Sequence, residues 1–447
     1  MFKNIFSKQF ALLKYLIRWT LISIPVAVAV GSVVALFLWL LTAAIHFRFG
    51  HTWLLYLLPV AGVAIHLLYK LYGQSAERGN NLIIDEIHQP GAGVPKRMAP
   101  LILVTTVITH LFGGSAGREG TAVQIGGSLA NLFGSWLKLN AGDKKLILTA
   151  GVAAGFGAVF GTPLTGTVFA LEVIAIGRIQ YNALLPCLIA GLAGDLTVSA
   201  WGVHHTLYHV DIVNISQELY GRHLTVSLWL LAKVVVASAL FGLASYAFAK
   251  AVHVVKSLGL KWIKLTWLIP VIGGLMIIGL TLAIGKPDYL SLGVDAEYPG
   301  AVTVVSAFEH GGAHALSWLW KLIYTAITLG TGFKGGEVTP LFYIGATLGN
   351  TLAEIMNAPV GLFAALGFIA VFAGATNTPL ACTLMGIELF GGHYALFFAV
   401  ACFTAYFFSG EKGIYSAQRT EIPKVPGDNP SPGAGRYLKR MFSKYKV

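Results

Sequence analysis

The strongest constraint on the fold of this 447-residue chain is that its apolar body repeats itself. T-A-V-Q-I-G-G-S-L-A-N at 121–131 matches P-L-F-Y-I-G-A-T-L-G-N at 340–350, with Ile125, Gly126, Leu129 and Asn131 returning as Ile344, Gly345, Leu348 and Asn350. Further on, T-P-L-T-G-T-V-F-A-L-E at 162–172 matches T-P-L-A-C-T-L-M-G-I-E at 378–388, so that Thr162, Pro163, Leu164, Thr167 and Glu172 return as Thr378, Pro379, Leu380, Thr383 and Glu388. The two offsets, 219 and 216, nearly agree, which makes the chain two related halves meeting within 200–225. The apolar segments around these motifs are cut short by Gly and Pro, and many fall below the roughly 20 residues of a spanning helix. Short, interrupted segments at matching places in two halves point to a transporter-type site near mid-membrane.

Composition supports a membrane body. The chain is 56% hydrophobic and only 11% charged, with a mean hydropathy of +0.71. That excludes an ordinary soluble enzyme, a disordered chain and a disulfide scaffold. A net charge of +12 first suggests a nucleic-acid partner, but its location argues otherwise. Residues 1–18 hold Lys3, Lys8, Lys14 and Arg18 with no acid, and 411–447 hold eight basic against three acidic residues. The ends therefore carry +9, while 19–410 is nearly neutral, with 19 basic and 16 acidic residues. Basic ends on an apolar body place both termini on the cytoplasmic side. Cys187, Cys382 and Cys402 form no C-x-x-C pair, and the histidines show no ligand spacing, so neither a cofactor nor a metal is expected.

The reading along the chain is an amphipathic helix on the cytoplasmic membrane surface over 1–19, a first transmembrane half over 20–210, a second over 211–410, and a flexible cytoplasmic tail over 411–447. Long spans are expected near 20–47, 52–72, 224–256 and 264–285. The N-terminal basic stretch runs into an apolar segment of spanning length without a clean cleavage pattern, and is read as a retained first span. Residues 74–99 read as a polar, Gly/Pro-rich connection, and 202–223, with His204, His205 and His209, as a stretch facing water.

Each half carries a glycine-rich turn before its first repeated motif: G-G-S-A-G-R-E-G-T, Gly113 to Thr121, and G-T-G-F-K-G-G-E-V-T-P, Gly330 to Pro340. Glycines expose successive N–H groups, and a helix starting at Thr121 or Val338 would aim its free donors and positive dipole end back at the turn. That builds an anion site without fixed charge. The alternative is that these glycines serve only close helix packing. Each turn also holds an acid, Glu119 and Glu337, and an acid inside a membrane is a functional candidate. A carboxylate at a helix N-terminus can occupy the place of a transported anion and leave when protonated. Glu119 would then couple proton movement to anion movement by competition. Glu337 makes sense beside an anion path if burial keeps it protonated, as a hydrogen-bond donor. Ion pairs of Glu119 with Arg118 and of Glu337 with Lys334 are the structural alternatives.

These motifs carry a family resemblance. G-R-E-G at 117–120 with V-Q-I-G at 123–126 resembles the signature of the CLC chloride channels and anion/proton antiporters, whose central glutamate matches Glu119. The resemblance covers about 20–410 and implies an all-α polytopic membrane protein, a CLC-type inverted repeat of broken and tilted helices. It puts Gly117, Arg118, Gly120, Thr121 and Val338 beside the anion pathway. The departures are informative. Thr121 stands where ordinary members have proline, and Asn80, in G-N-N-L-I, stands where a serine coordinates chloride. G-A-G-V-P at 91–95 is closer to that serine motif by letter but lies too near Glu119. G-E-V-T-P, Gly336 to Pro340, replaces the usual G-x-F-x-P and brings Glu337 and Thr339 to the path. This set resembles the fluoride-transporting branch, the CLC-F proteins. Val173 stands where many chloride/proton antiporters carry a proton-transferring glutamate, and the fluoride branch is similar in lacking it. Tyr394, in G-G-H-Y-A, is matched to the tyrosine that closes the inner end of the path, and His393 beside it is read as structural.

The resulting expectation is a non-enzymatic fluoride/proton antiporter of the bacterial inner membrane, a homodimer by resemblance, with fluoride, protons and the lipid bilayer as partners. Fluoride is small and strongly hydrated, so stripping its water calls for dense donation from backbone N–H groups, Asn80, Thr339, Tyr394 and protonated Glu337. A chloride/proton antiporter, a passive channel of the same fold, and a membrane enzyme using Glu119 and Glu337 as an acid/base pair remain alternatives.

Overall fold

The computed structural model describes residues 2–206, 208, 210 and 228–425, with side chains from residue 9 onward. Fifteen α-helices of eight or more residues are described: α1 Phe2–Gly50, α2 Leu58–Leu68, α3 Asn80–His88, α4 Met98–Leu111, α5 Glu119–Trp136, α6 Ala141–Phe160, α7 Pro163–Glu172, α8 Leu184–Ala200, α9 Leu228–Trp262, α10 Leu268–Ile284, α11 Ser317–Gly330, α12 Val338–Met356, α13 Val360–Thr376, α14 Pro379–Phe390 and α15 Ala395–Phe408. Among the described residues, four helical stretches are long and apolar enough to cross a membrane: Gln9–Gly50, Thr52–His88, Tyr181–Ala200 and Leu228–Trp262. Five further apolar helices among the described residues have 10 to 17 residues.

The sequence repeat is a repeat of helices. α4 to α8 in the first half correspond in order to α11 to α15 in the second. The repeated Thr-Pro marks the same device twice. α6 ends at Gly161 and α13 at Asn377, both left-handed (φ +71° and +58°), and the next helix starts with Pro163 or Pro379 in its first position. A left-handed residue stops a helix, and a proline can open one because its missing N–H has no partner there anyway. The shared glycine has a packing role. A methyl group on Gly126 would stand 2.0 Å from Gly151 O, and one on Gly345 would stand 2.0 Å from Gly367 O, so α5 on α6 and α12 on α13 touch backbone to backbone.

The repeated glutamates are exchanged between the halves. Glu172, at the end of α7, accepts from Leu380 N and Ala381 N at the start of α14, at 3.1 and 2.8 Å. Glu388, in α14, accepts from Leu164 N and Thr165 N at the start of α7, at 3.0 and 2.7 Å. Each acid satisfies the free donors of the other half's broken helix. An aromatic stack joins the halves in the core: Phe342 lies on Phe368 at 3.8 Å, Phe156 on Phe169 at 4.3 Å, and Phe169 meets Phe372 at 5.7 Å.

Three boundaries differ from the sequence reading. The helix expected over 1–19 is not separate: α1 runs unbroken from Phe2, because the first helix breaker is Pro25, and it sits inside the helix. The connection 74–99 contains α3, whose nine residues bury Leu82, Ile83, Ile84 and Ile87. The tail read as flexible from 411 is a docked strap up to 425. Its Arg419–Thr420 pairs in parallel with Ala175–Ile176, and Lys424 Nζ donates to the carbonyls of Tyr406 and Gly410. Most of 202–223, His209 included, lies outside the described residues; His205 Nε2 stands 3.8 Å from Asp195 Oδ1.

Candidate functional site

The two glycine-rich turns meet face to face. Gly117 N donates to Gly336 O at 2.6 Å and Gly336 N to Gly117 O at 2.7 Å, an isolated antiparallel bridge between the halves. No side chain fits between them: a methyl group on Gly336 would stand 2.7 Å from Gly120 N. This bridge sets the starts of α5 and α12 against each other.

Glu119 opens α5 and is fully buried. Its carboxylate crosses to the start of α12. Oε2 accepts from Thr339 N at 3.0 Å and from Arg118 N at 3.1 Å, and Oε1 accepts from the Thr339 hydroxyl at 2.6 Å. The free donors at the start of α12 therefore hold the carboxylate of the first turn. Thr339 is the second residue of its helix, where N–H groups have no intrahelical acceptor. The Arg118 guanidinium lies 3.5 Å from Glu119 Oε1, an ion pair without hydrogen-bond geometry.

Glu337 caps the same helix. A methyl group on Gly120 would stand 3.6 Å from Glu337 Oε2 and 3.2 Å from Asn80 Nδ2, so Gly120, Glu337 and Asn80 surround one small space. Asn80 opens α3, and its Oδ1 is buried with no hydrogen-bond partner among the described residues. Lys334 does not pair with Glu337; its ammonium lies over the Tyr69 ring at 4.2 Å. Val338 is buried beside Thr339, and the Thr121 hydroxyl is used in a link to Thr106 Oγ1 at 2.8 Å, which ties α5 to α4.

From Asn80 a cavity runs between α3, α5, α6 and α7. Ile83, Val123, Phe169, Val173 and Tyr415 are among its walls. Tyr394 is not one of them: it is buried at the start of α15, edge-on to Phe398 at 6.3 Å. The tyrosine at the cavity is Tyr415, on the strap. The sequence signal for it was G-I-Y-S-A-Q, an apolar pair inside a stretch whose composition reads as tail. Sequence reasoning also missed Lys321, fully buried in α11, whose ammonium donates to Tyr289 O at 3.2 Å and Ser291 O at 2.7 Å. Among the described residues no cluster of three or more His, Cys, Asp or Glu could hold a metal ion.

The profile of the voltage gated chloride channel family matches residues 61–410. The chain belongs to this CLC family. A CLC relative, "Chloride/fluoride channel protein" of Pseudomonas syringae pv. tomato, is 47% identical over 413 residues, covering 92% of this chain and 88% of the relative. The crystal structure of a CLC-type fluoride/proton antiporter superposes with a TM-score of 0.82 at 34% identity, over 91% of this chain and 98% of that one. A more distant relative, the H(+)/Cl(-) exchange transporter ClcA of Vibrio cholerae, is 26% identical over 68% of each chain. The inverted-repeat, all-α architecture is thus that of the CLC fold, and the family is one of membrane ion transport rather than of enzymes.

Proposed function

We propose that the protein exports fluoride in exchange for protons, with Glu119 as the proton-dependent gate. The observation that carries this reading is the seat of the Glu119 carboxylate, on the N–H and hydroxyl of Thr339. An anion arriving at the start of α12 must displace a carboxylate already bound by the same donors. Protonation removes the negative charge that holds Glu119 there, so a proton on Glu119 and an anion at Thr339 favour each other. Released, the protonated side chain carries its proton in step with the anion.

Fluoride is preferred to chloride because the site is small and rich in donors. Thr339 supplies two donors, and the Asn80 amide and the Glu337 carboxyl in its protonated form complete the space around Gly120. In the low dielectric of a protein interior such donors replace a hydration shell at short range, and the smaller ion gains most. Relatives described as a chloride/fluoride channel and as a fluoride/proton antiporter support the same choice. Tyr415 closes the path at the end of the cavity, on the side of the C-terminal strap. The basic termini put that side in the cytoplasm of a bacterial inner membrane, and family resemblance implies a homodimer with one pathway per subunit.

The test is ion efflux from liposomes reconstituted with the full chain. Fluoride is expected to leave at a rate well above chloride. Chloride leaving as fast as fluoride would sink the fluoride reading and favour a chloride/proton antiporter.

A further inference from the structure

α3 packs on one stripe of α5. Gly120, Gln124 and Gly127 share that face, each about one turn from the next. A methyl group on Gly120 would meet Asn80 Nδ2 at 3.2 Å, and one on Gly127 would meet Ile83 Cδ1 at 2.6 Å. Between them stands Gln124, only 6% exposed. Its terminal amide lies over Gly79, the residue before Asn80: a methyl group on Gly79 would stand 3.3 Å from Nε2 and 3.5 Å from Oε1. That amide makes no hydrogen bond with any described residue. A buried amide without a partner is costly, so its place in a packed interface needs a reason.

The repeat supplies the comparison. The offset of 219 sets Tyr343 where Gln124 stands, each the sixth residue of its helix. Tyr343 also covers a left-handed glycine, Gly293 at φ +74° against Gly79 at φ +55°. A methyl group on Gly293 would stand 2.8 Å from the Tyr343 ring, and the Tyr343 hydroxyl donates to Val302 O at 3.2 Å. One arrangement thus holds a satisfied ring in the second half and an unsatisfied amide in the first. Packing over the glycine is met by the ring; the amide calls for a ligand. Beside it, the first N–H groups of α3 have no intrahelical acceptor, and Val123, next to Gln124, walls the cavity that opens at Asn80.

We propose that Gln124 is a specificity-determining residue of the anion path, its Nε2–H donating to fluoride at the start of α3. The proposal rests on the transport reading above and adds a donor to Thr339, Asn80 and Glu337, one turn along α5 from the space around Gly120. A small anion approaches an amide N–H more closely than a large one, so fluoride gains more from this donor than chloride does.

The test is fluoride and chloride titration calorimetry of the purified full chain, with thermal unfolding beside it, for wild type, Gln124→Met, Gln124→Glu and Tyr343→Phe. A lost hydrogen bond to an anion corresponds to roughly tenfold or more in affinity. Gln124→Met is expected to raise the fluoride dissociation constant by that factor and the chloride one by less. Its melting temperature is expected not to fall, because the amide has no protein partner to lose. Gln124→Glu keeps the shape but loses both N–H donors, so it is expected to weaken fluoride binding at least as far. Tyr343→Phe is expected to do the reverse, lowering the melting temperature and leaving fluoride affinity unchanged. Unaltered fluoride affinity in Gln124→Met or Gln124→Glu, a lowered melting temperature in Gln124→Met, or an equal loss of fluoride affinity in Tyr343→Phe overturns the inference. If wild type binds chloride as tightly as fluoride, the fluoride reading fails. The inference is then read from chloride: a tenfold loss in Gln124→Met supports Gln124 as an anion donor, and no loss overturns it. Binding of neither anion by wild type overturns both. Should Gln124→Met fail to fold, Gln124→Asn, which keeps the amide but draws it back by one methylene, is read in the same way.

Discussion

The carboxylate of Glu119 is bound by Thr339, 220 positions later in the chain, through the backbone N–H at 3.0 Å and the hydroxyl at 2.6 Å. An acid of the first half thus fills the donor site of the second. The hydroxyl can be removed with little change of shape. A hydrogen bond to a charged group contributes about 1.5–3 kcal/mol. Because the Glu119 carboxylate loses the same donor, the effect is expected where no carboxylate competes: in the Glu119→Gln background, Thr339→Val weakens fluoride binding by roughly tenfold or more. Fluoride titration calorimetry of the purified variant checks this, and unaltered affinity would remove Thr339 from the anion site.

Glu337 shares the space around Gly120 with Asn80 and has no lysine partner. If it passes the proton onward from Glu119, Glu337→Gln keeps a hydrogen-bond donor in place and abolishes proton movement while fluoride still crosses. Parallel fluoride and pH traces decide the matter. Undiminished proton flux in Glu337→Gln would restrict Glu337 to shaping the site.

The exchanged caps Glu172 and Glu388 each bind two backbone N–H groups of the opposite half. Replacing either by alanine leaves those donors unsatisfied, at a cost of about 2–3 kcal/mol. Thermal unfolding in detergent is expected to show a similar loss for Glu172→Ala and Glu388→Ala. A large effect of one and none of the other would contradict their equivalence.

Close packing of the repeated glycines is testable in the same assay. Gly126→Ala and Gly345→Ala each drive a methyl group onto a carbonyl oxygen and are expected to destabilise by about 1–3 kcal/mol. Gly279→Ala, inside α10 where nothing lies within 4 Å, is expected not to lower the melting temperature.

Much of this was legible in the sequence, because repeat, breakers and turn chemistry act locally. Thr162-Pro163 and Thr378-Pro379 announce helix breaks, and the two glycine-rich turns announce where donors are exposed. Glu119 and Glu337 follow from those turns; Thr339, Asn80, Gly117 and Gly120 were reached through the family resemblance, and the six lie close together in the structure. The strap was illegible for the opposite reason. Its anchors are side chain to backbone bonds between Gln418 and Val173 or Thr376, which leave no periodic trace in composition. Tyr394 was singled out through the family resemblance, and Tyr415, in G-I-Y-S-A-Q, was passed over because it stands in a stretch whose composition reads as tail. α3 was missed because nine residues give too few turns to display a helical period. Lys321 was missed because one lysine in an apolar segment carries no pattern; only the loop carbonyls it meets give it meaning.

The most direct measurement of the central claim is simultaneous recording of fluoride and pH in liposomes bearing wild type or Glu119→Gln. In wild type, a fluoride gradient is expected to drive protons against their own gradient. Glutamine keeps the size of the side chain but neither titrates nor carries the charge that holds Glu119 at Thr339. Glu119→Gln is accordingly expected to lose all proton movement. Protons still driven uphill by fluoride in Glu119→Gln would contradict the account.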